Sequence, residues 1–201
     1  MLVERLVAPK ETPLRNPTRR LVGSIVLVAA LALVGAPHAA RAGTAAEIDR
    51  NVSAGLKQLF ADSPDAKQLA SEAKGILVFP NIVKGGFIVG GQYGEGALRE
   101  KGRTTGYFNT VAASFGLQAG AQKFGYALFF MSDSALKYLK ESKGWELGTG
   151  PSIVILDEGA AAALTTTTAR SDVYAFFFDQ KGLMAGLGLQ GSKITRIHPK
   201  K

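Results

Sequence analysis

Three glycines near the C-terminus, Gly186, Gly188 and Gly191, spell G-x-G-x-x-G within GLMAGLGLQGSK (182–193), the spacing that seats a dinucleotide pyrophosphate. That chemistry needs a strand before the glycines, a helix N-terminus after them, and a carboxylate about 20 residues on. The residues after Gly191, SKITRIHPKK, contain no acid and alternate like a terminal strand. The spacing therefore reflects glycine abundance, and no nucleotide cofactor is expected. Nucleophilic and metal chemistry are equally short of parts. The 201 residues include no cysteine and two histidines, His38 and His198, and His198 sits beside Pro199 in the basic tail. No HExxH pair, Cys/His zinc cluster or Ser/His/Asp triad can be assembled from that inventory. Carboxylates remain, among them Glu95, Glu146, Asp157, Glu158, Asp172 and Asp179, but nearly all fall in turn-like sequence and lack the D-x-D spacing of a calcium loop. Neither an enzyme nor a resident metal is expected.

The cations have more direction. Lys74, Lys84, Lys101, Lys123, Lys181, Lys193 and Arg196 fall at strand ends and turns, where many could gather on one rim of a sheet. Four lysines against an anionic membrane contribute about 1 kcal/mol each, which alone corresponds to about millimolar binding. Apolar groups must add the rest, either side chains such as Phe87, Phe129, Met131, Phe176, Phe178 and Met184 or a groove that takes an acyl chain.

The elements that must position these residues follow from pattern. Arg15, Arg19 and Arg20 precede the uncharged run LVGSIVLVAALALVG (21–35) and the small residues around Ala40-Arg41-Ala42, a secretory signal expected to be cleaved after Ala42. Residues 43–201 are then a single exported domain, periplasmic or peripheral on a membrane. Its formal charge is +4 against +8 for the whole chain, which makes nucleic acid a poor partner. Thr44-Ala45-Ala46-Glu47 is a capping box, and Ile48, Val52, Leu56 and Leu59 recur at helical spacing, predicting a helix over 45–61. Ser63-Pro64 opens a second near 64–73, and Ser132-Asp133 a third over 133–142. Strands are predicted near 76–79, 86–92, 96–100, 106–118, 123–131, 151–156, 163–169, 172–178, 183–190 and 193–198. In the long strand 106–118, Tyr107, Val111 and Phe115 form an apolar face, while Thr110, Ala112, Ser114 and Gly116 form a bare one. Glycine within strands marks bends or close approach of a backbone or ligand. The expected fold is α+β: N-terminal helices and one internal helix packed on a strongly curved, mostly antiparallel sheet, barrel- or sandwich-like.

Four blocks carry a resemblance: AKGILVFPNIVKGGFIVGGQYGEGAL (73–98), YFNTVAASFGLQAGAQKFGYALFFM (107–131), GWELGTGPSIVILDEGAA (144–161) and GLMAGLGLQGSKITRI (182–197). In this order they resemble the SYLF domain family across about residues 73–198. The resemblance implies a non-catalytic lipid-binding module that contacts anionic phospholipid, with bacterial members exported. Eukaryotic members begin with a basic amphipathic helix that enters the membrane, whereas TAAEIDRNVSAGLKQLF (44–60) has a polar face of mixed charge. Lys74, Lys84, Gly85 and Gly86 lie in the first block and Lys193 and Arg196 in the last. With Gly186 and Gly188 they are the candidate lipid-binding residues, the cations facing phosphate and a glycine-lined apolar concavity receiving chains. Two other readings remain: a small outer-membrane β-barrel or structural envelope protein, and an envelope hydrolase working with paired carboxylates.

Overall fold

A computed structural model describes residues 42–201 except 87–88, 116–119, 157–170, 183–188 and 190. Ala42–Lys201 forms one compact unit. Its first helix, α1 (Ala45–Asp62), starts on the predicted capping box, with Thr44 Oγ1 accepting from the Glu47 amide and the Thr44 amide donating to Glu47 Oε2 at 2.8 Å. Ile48, Val52, Gly55 and Leu59 make its buried stripe. Helix α2 (Pro64–Glu72) is capped by Ser63, and α3 (Asp133–Glu141) by Ser132.

The strands are β1 (Gly75–Gly86), β2 (Val89–Glu100), β3 (Arg103–Phe115), β4 (Gly120–Phe130), β5 (Trp145–Glu146), β6 (Ile153–Leu156), β7 (Val173–Gly182) and β8 (Lys193–Ile197). They form one sheet in the order β5-β8-β3-β2-β1-β4-β7-β6, antiparallel except for the β6–β7 pair. The sheet curls into a half-barrel, and the fold is α+β as expected. The breaks expected between strands 76–79, 86–92 and 96–100 give way to two strands, β1 and β2, each continuous for 12 residues. A bulge absorbs Pro80, because the ladder between β1 and β2 slips from Val78↔Ala97 to Asn81↔Glu95. Pro80 has no N–H to give, and a bulge is where a strand tolerates that loss. The short β5 was not anticipated, while the strand predicted over 163–169 and nearly all of 183–190 lie outside the described residues.

Both faces of the sheet are covered over much of their area. Inside the curl, Leu77, Phe79, Leu98, Phe108, Tyr126, Leu128 and Phe130 pack with Leu136 and Leu139 of α3 and with Trp145. Outside, Val78, Ala97, Phe129, Tyr174 and Phe176 meet the stripe of α1 and Ala66 and Leu69 of α2. An outer-membrane barrel has a polar lumen and a lipid-facing apolar band. Here the inner face is filled with aromatic side chains and the outer face carries helices, which is the reverse. The faces of β3 also differ from expectation. Thr110, on the face read as bare, is 0% exposed and points inward beside Phe108, which is 2% exposed, while Val111, on the apolar face, is 45% exposed.

Candidate functional site

The bulge at Pro80 decides where Lys84 goes. Simple alternation from Val78 would leave Lys84 on the outer face, beside the helices. The extra residue reverses the parity, so Ile82 and then Lys84 face the interior. Lys84 pairs with Gln92 on β2 and Gln122 on β4, and Gln92 pairs with Ala112 on β3. A polar belt thus crosses three strands, β4, β1 and β2, above the aromatic filling, with Lys84, Gln92 and Gln122 all buried. Gln92 Nε2 donates to Ser192 Oγ at 3.3 Å, and Tyr126 Oη donates to Thr110 Oγ1 at 3.0 Å. Burial holds the Tyr126 hydroxyl proton far above the usual range. The Gln122 carbonyl oxygen is buried without a hydrogen-bond partner.

Beyond this belt the ladder becomes small. Gly85 pairs with Gly91 and Ala121, and Gly86 with Gly90 and Gly120. Deeper in, glycines make room for the protein itself. A Cβ on Gly94 would stand 2.7 Å from Ile82 Cγ1, and one on Gly96 would stand 2.0 Å from the Val78 carbonyl oxygen. At Gly94 and Gly96, which are not among the candidate lipid-binding glycines, β1 takes the space a side chain would need. Gly186 and Gly188 lie outside the described residues.

The candidate cations do not converge. Lys74 and Lys84 bracket β1, and ten residues of strand separate them by about 30 Å. Lys74 is exposed beside α2, its amide donating to the Phe130 carbonyl at 2.8 Å. Arg196 pairs with Phe108 near the far end of β8, where its guanidinium donates to the Thr105 carbonyl at 3.4 Å. Lys193 is at the opposite end of that strand, exposed on the outer face. Several apolar side chains expected to enter a membrane are committed to the core: Phe129, Phe176 and Phe178 are buried and Met131 is half-buried.

What does assemble is a row on the outer face past the end of α1. Reading across the ladder, Lys193 pairs with Val111, Val111 with Tyr93, Tyr93 with Val83, and Val83 with Lys123. Val83, Tyr93 and Val111 are 57%, 37% and 45% exposed, and both lysines are exposed. Glu146 pairs with Lys193 at the edge. Glu95, one step along β2, accepts from Tyr93 Oη at 2.7 Å and from the Gly43 amide at 2.8 Å. Partial burial, and next this bond to Glu95, push the Tyr93 hydroxyl up to about 12. Sequence reasoning missed Val83 and Tyr93 because both fall between the predicted strands 76–79, 86–92 and 96–100, and the bulge on β1 then turns Val83 outward.

Three further acids, Asp49, Asp172 and Glu100, do structural work. Asp49 accepts from Thr104 Oγ1 at 2.6 Å and Tyr107 Oη at 2.9 Å and pairs with Arg99 at 3.3 Å, tying α1 to β2 and β3. Asp172 accepts from Ser132 Oγ and from the Ser152 amide and hydroxyl, and these bonds, led by that from Ser132, hold its carboxyl below the ordinary range. Burial would raise the Glu100 carboxyl, but the hydrogen bonds from Lys140 and Thr105 outweigh it and lower it. Asp157 and Glu158 are outside the described residues. Among the described residues, no three His, Cys, Asp or Glu side chains gather as a metal site, and no helix is long and apolar enough to cross a membrane.

The family model Ysc84, described as Las17-binding protein actin regulator, matches residues 111–198. That stretch runs from the end of β3 through β8, and over it the SYLF resemblance is borne out. No curated protein matches the chain.

Proposed function

We propose that this chain is a non-catalytic phospholipid-binding protein of the bacterial cell envelope that meets anionic bilayers through its outer sheet row. The SYLF match supports a binding role, and SYLF domains are in general not enzymes. The observation that carries the reading is the run Lys193–Val111–Tyr93–Val83–Lys123, apolar in the middle and cationic at both ends. Helix α1 is a poor substitute for it. Its apolar stripe is spent on the sheet, so entering a membrane would require the helix to undock.

The magnitudes fit a peripheral contact. Covering three side chains that are roughly half exposed recovers about 1 kcal/mol each, half the value of full burial. Lys123 and Lys193 add about 1 kcal/mol each at an anionic surface, less what Glu146 removes. A total of about 4–5 kcal/mol corresponds to sub-millimolar binding that salt weakens. The described carboxylates offer the hydrolase reading little, since Asp172 and Glu100 are held low and not raised as a catalytic acid needs. The envelope location rests on the signal-like residues 1–42.

Flotation with vesicles of phosphatidylglycerol, compared with phosphatidylcholine, tests the proposal. The protein should float with the anionic vesicles at low salt and be released as salt rises. A Val83→Ser/Val111→Ser variant and a Lys123→Glu/Lys193→Glu variant, all at exposed positions, should each lose flotation while keeping their unfolding midpoints. Equal failure of the wild type on both lipids, or variants that float as well as it does, would overturn the reading.

A further inference from the structure

A second surface, on the same side of the sheet but at the other end of β1 and β2, has the form of a ligand site. The groove encloses about 610 Å³ between α1, the α2–β1 connection and the β2–β3 turn. Its apolar surface comes from Leu56, Phe60, Ala70 and Ile76, which pack against the helix-side core yet are only partly buried. The reason is geometric. Leu56 and Phe60 sit one position beyond Gly55 and Leu59 of the buried stripe, on the shoulder of α1, and α2 turns off at Ser63-Pro64 and leaves the angle between the helices open.

The rim has one sign. Lys57, Arg99 and Lys101 line it, and no carboxylate does. Lys101 and Gly102 both have positive φ, 49° and 78°, so they form a tight two-residue hairpin turn that fixes where the lysine starts. Arg99 is held by Asp49, and its terminal nitrogen donates to the Asp49 carbonyl and to Ser53 Oγ. Its Nε is buried and donates to nothing. A buried donor without an acceptor is unfavourable.

We infer that this groove binds a single-chain amphiphile with an anionic head, the alkyl chain lying on Leu56, Phe60 and Ile76 and the carboxylate or phosphate oxygens meeting Lys57, Arg99 and Lys101. The volume suits one small ligand and not a macromolecule, and a chain beside a cationic rim matches the groove in both shape and charge. The site is distinct from the outer sheet row and does not depend on that row touching a bilayer.

Calorimetric titration of the full chain with monomeric amphiphiles, each below its micelle concentration, tests it. Dodecanoate and a lysophosphatidylglycerol of the same chain length serve as carboxylate and phosphate heads, and dodecyltrimethylammonium as the cationic control. Both anions should saturate one site, the cationic control should bind at least tenfold more weakly, and shortening the chain by two methylenes should weaken binding by about tenfold. A Lys57→Glu/Lys101→Glu variant, changed only at exposed side chains, should lose at least tenfold for the anions. An Ala70→Trp variant should block the groove, with its unfolding midpoint measured alongside. The outer-row variants should bind the monomeric amphiphiles normally, and the Lys57→Glu/Lys101→Glu variant should still float with anionic vesicles, so failure of one site leaves the other readable. No saturable binding, equal affinity for the cationic control, indifference to chain length, or an unaffected Lys57→Glu/Lys101→Glu variant would each overturn the inference.

Discussion

Gly91 and Gly96 lie five residues apart on β2, and an alanine at each asks whether the glycine-rich strand is bare for a ligand or for its own neighbour. At Gly96 a Cβ would stand 2.0 Å from the Val78 carbonyl oxygen and 2.8 Å from Phe79 Cδ1. The Val78 oxygen belongs to backbone at the Pro80 bulge, so no rotamer change relieves the contact, and β1 and β2 must separate where the ladder already slips. Overpacking in a close-packed core costs about 1–3 kcal/mol when side chains can adjust. With a backbone oxygen as the obstacle the upper end is the floor, so Gly96→Ala should cost about 3 kcal/mol or more. At Gly91 the nearest atom is the Ala112 carbonyl oxygen at 3.8 Å, an ordinary contact. Gly91→Ala should be neutral or stabilising by up to about 1 kcal/mol, because the unfolded chain loses freedom. Urea unfolding of both variants beside the wild type, with equal slopes required, measures the difference. A Gly96→Ala protein within 1 kcal/mol of Gly91→Ala would refute the claim that β1 fills this part of the wall.

Other outcomes follow from the same contacts. Tyr126→Phe removes a fully buried hydroxyl and strands Thr110 Oγ1, so stability should fall by about 1–2 kcal/mol, read by urea midpoint. Asp172 has a folded pKa below its unfolded value of 3.8, so its stabilisation is present above about pH 4 and is lost as pH falls through the folded value. Asp172→Asn should therefore show a shallower loss of stability than the wild type below about pH 4. Trp145, the single tryptophan, is 0% exposed and donates from Nε1 to the Thr149 carbonyl at 2.8 Å. Its emission should be blue-shifted and resist acrylamide until unfolding, and early quenching would refute its packing in the core inside the curl.

Local chemistry made much of the framework legible. The Thr44–Glu47 capping box, the Ser63-Pro64 start and the Ser132 cap are short-range hydrogen-bonding patterns, and the three helices among the described residues begin where they require. The α+β class, the curved antiparallel sheet and the four family-like blocks could likewise be read from residue order. The poverty of histidine and cysteine also limits the available chemistry. Side-chain placement is different, because it depends on pairing between strands distant in sequence. One bulge at Pro80 turned Lys84 inward and put Val83 outside, and no alternation rule within a single strand could foresee which way the ladder would slip. Likewise Lys193, Val111, Tyr93, Val83 and Lys123 are adjacent only because β8, β3, β2, β1 and β4 lie in that order. The sequence determined which elements form and which reactions lack their groups. The tertiary structure decided which residues meet, because register and strand order are set by the burial of the whole sheet and not by neighbours along the chain.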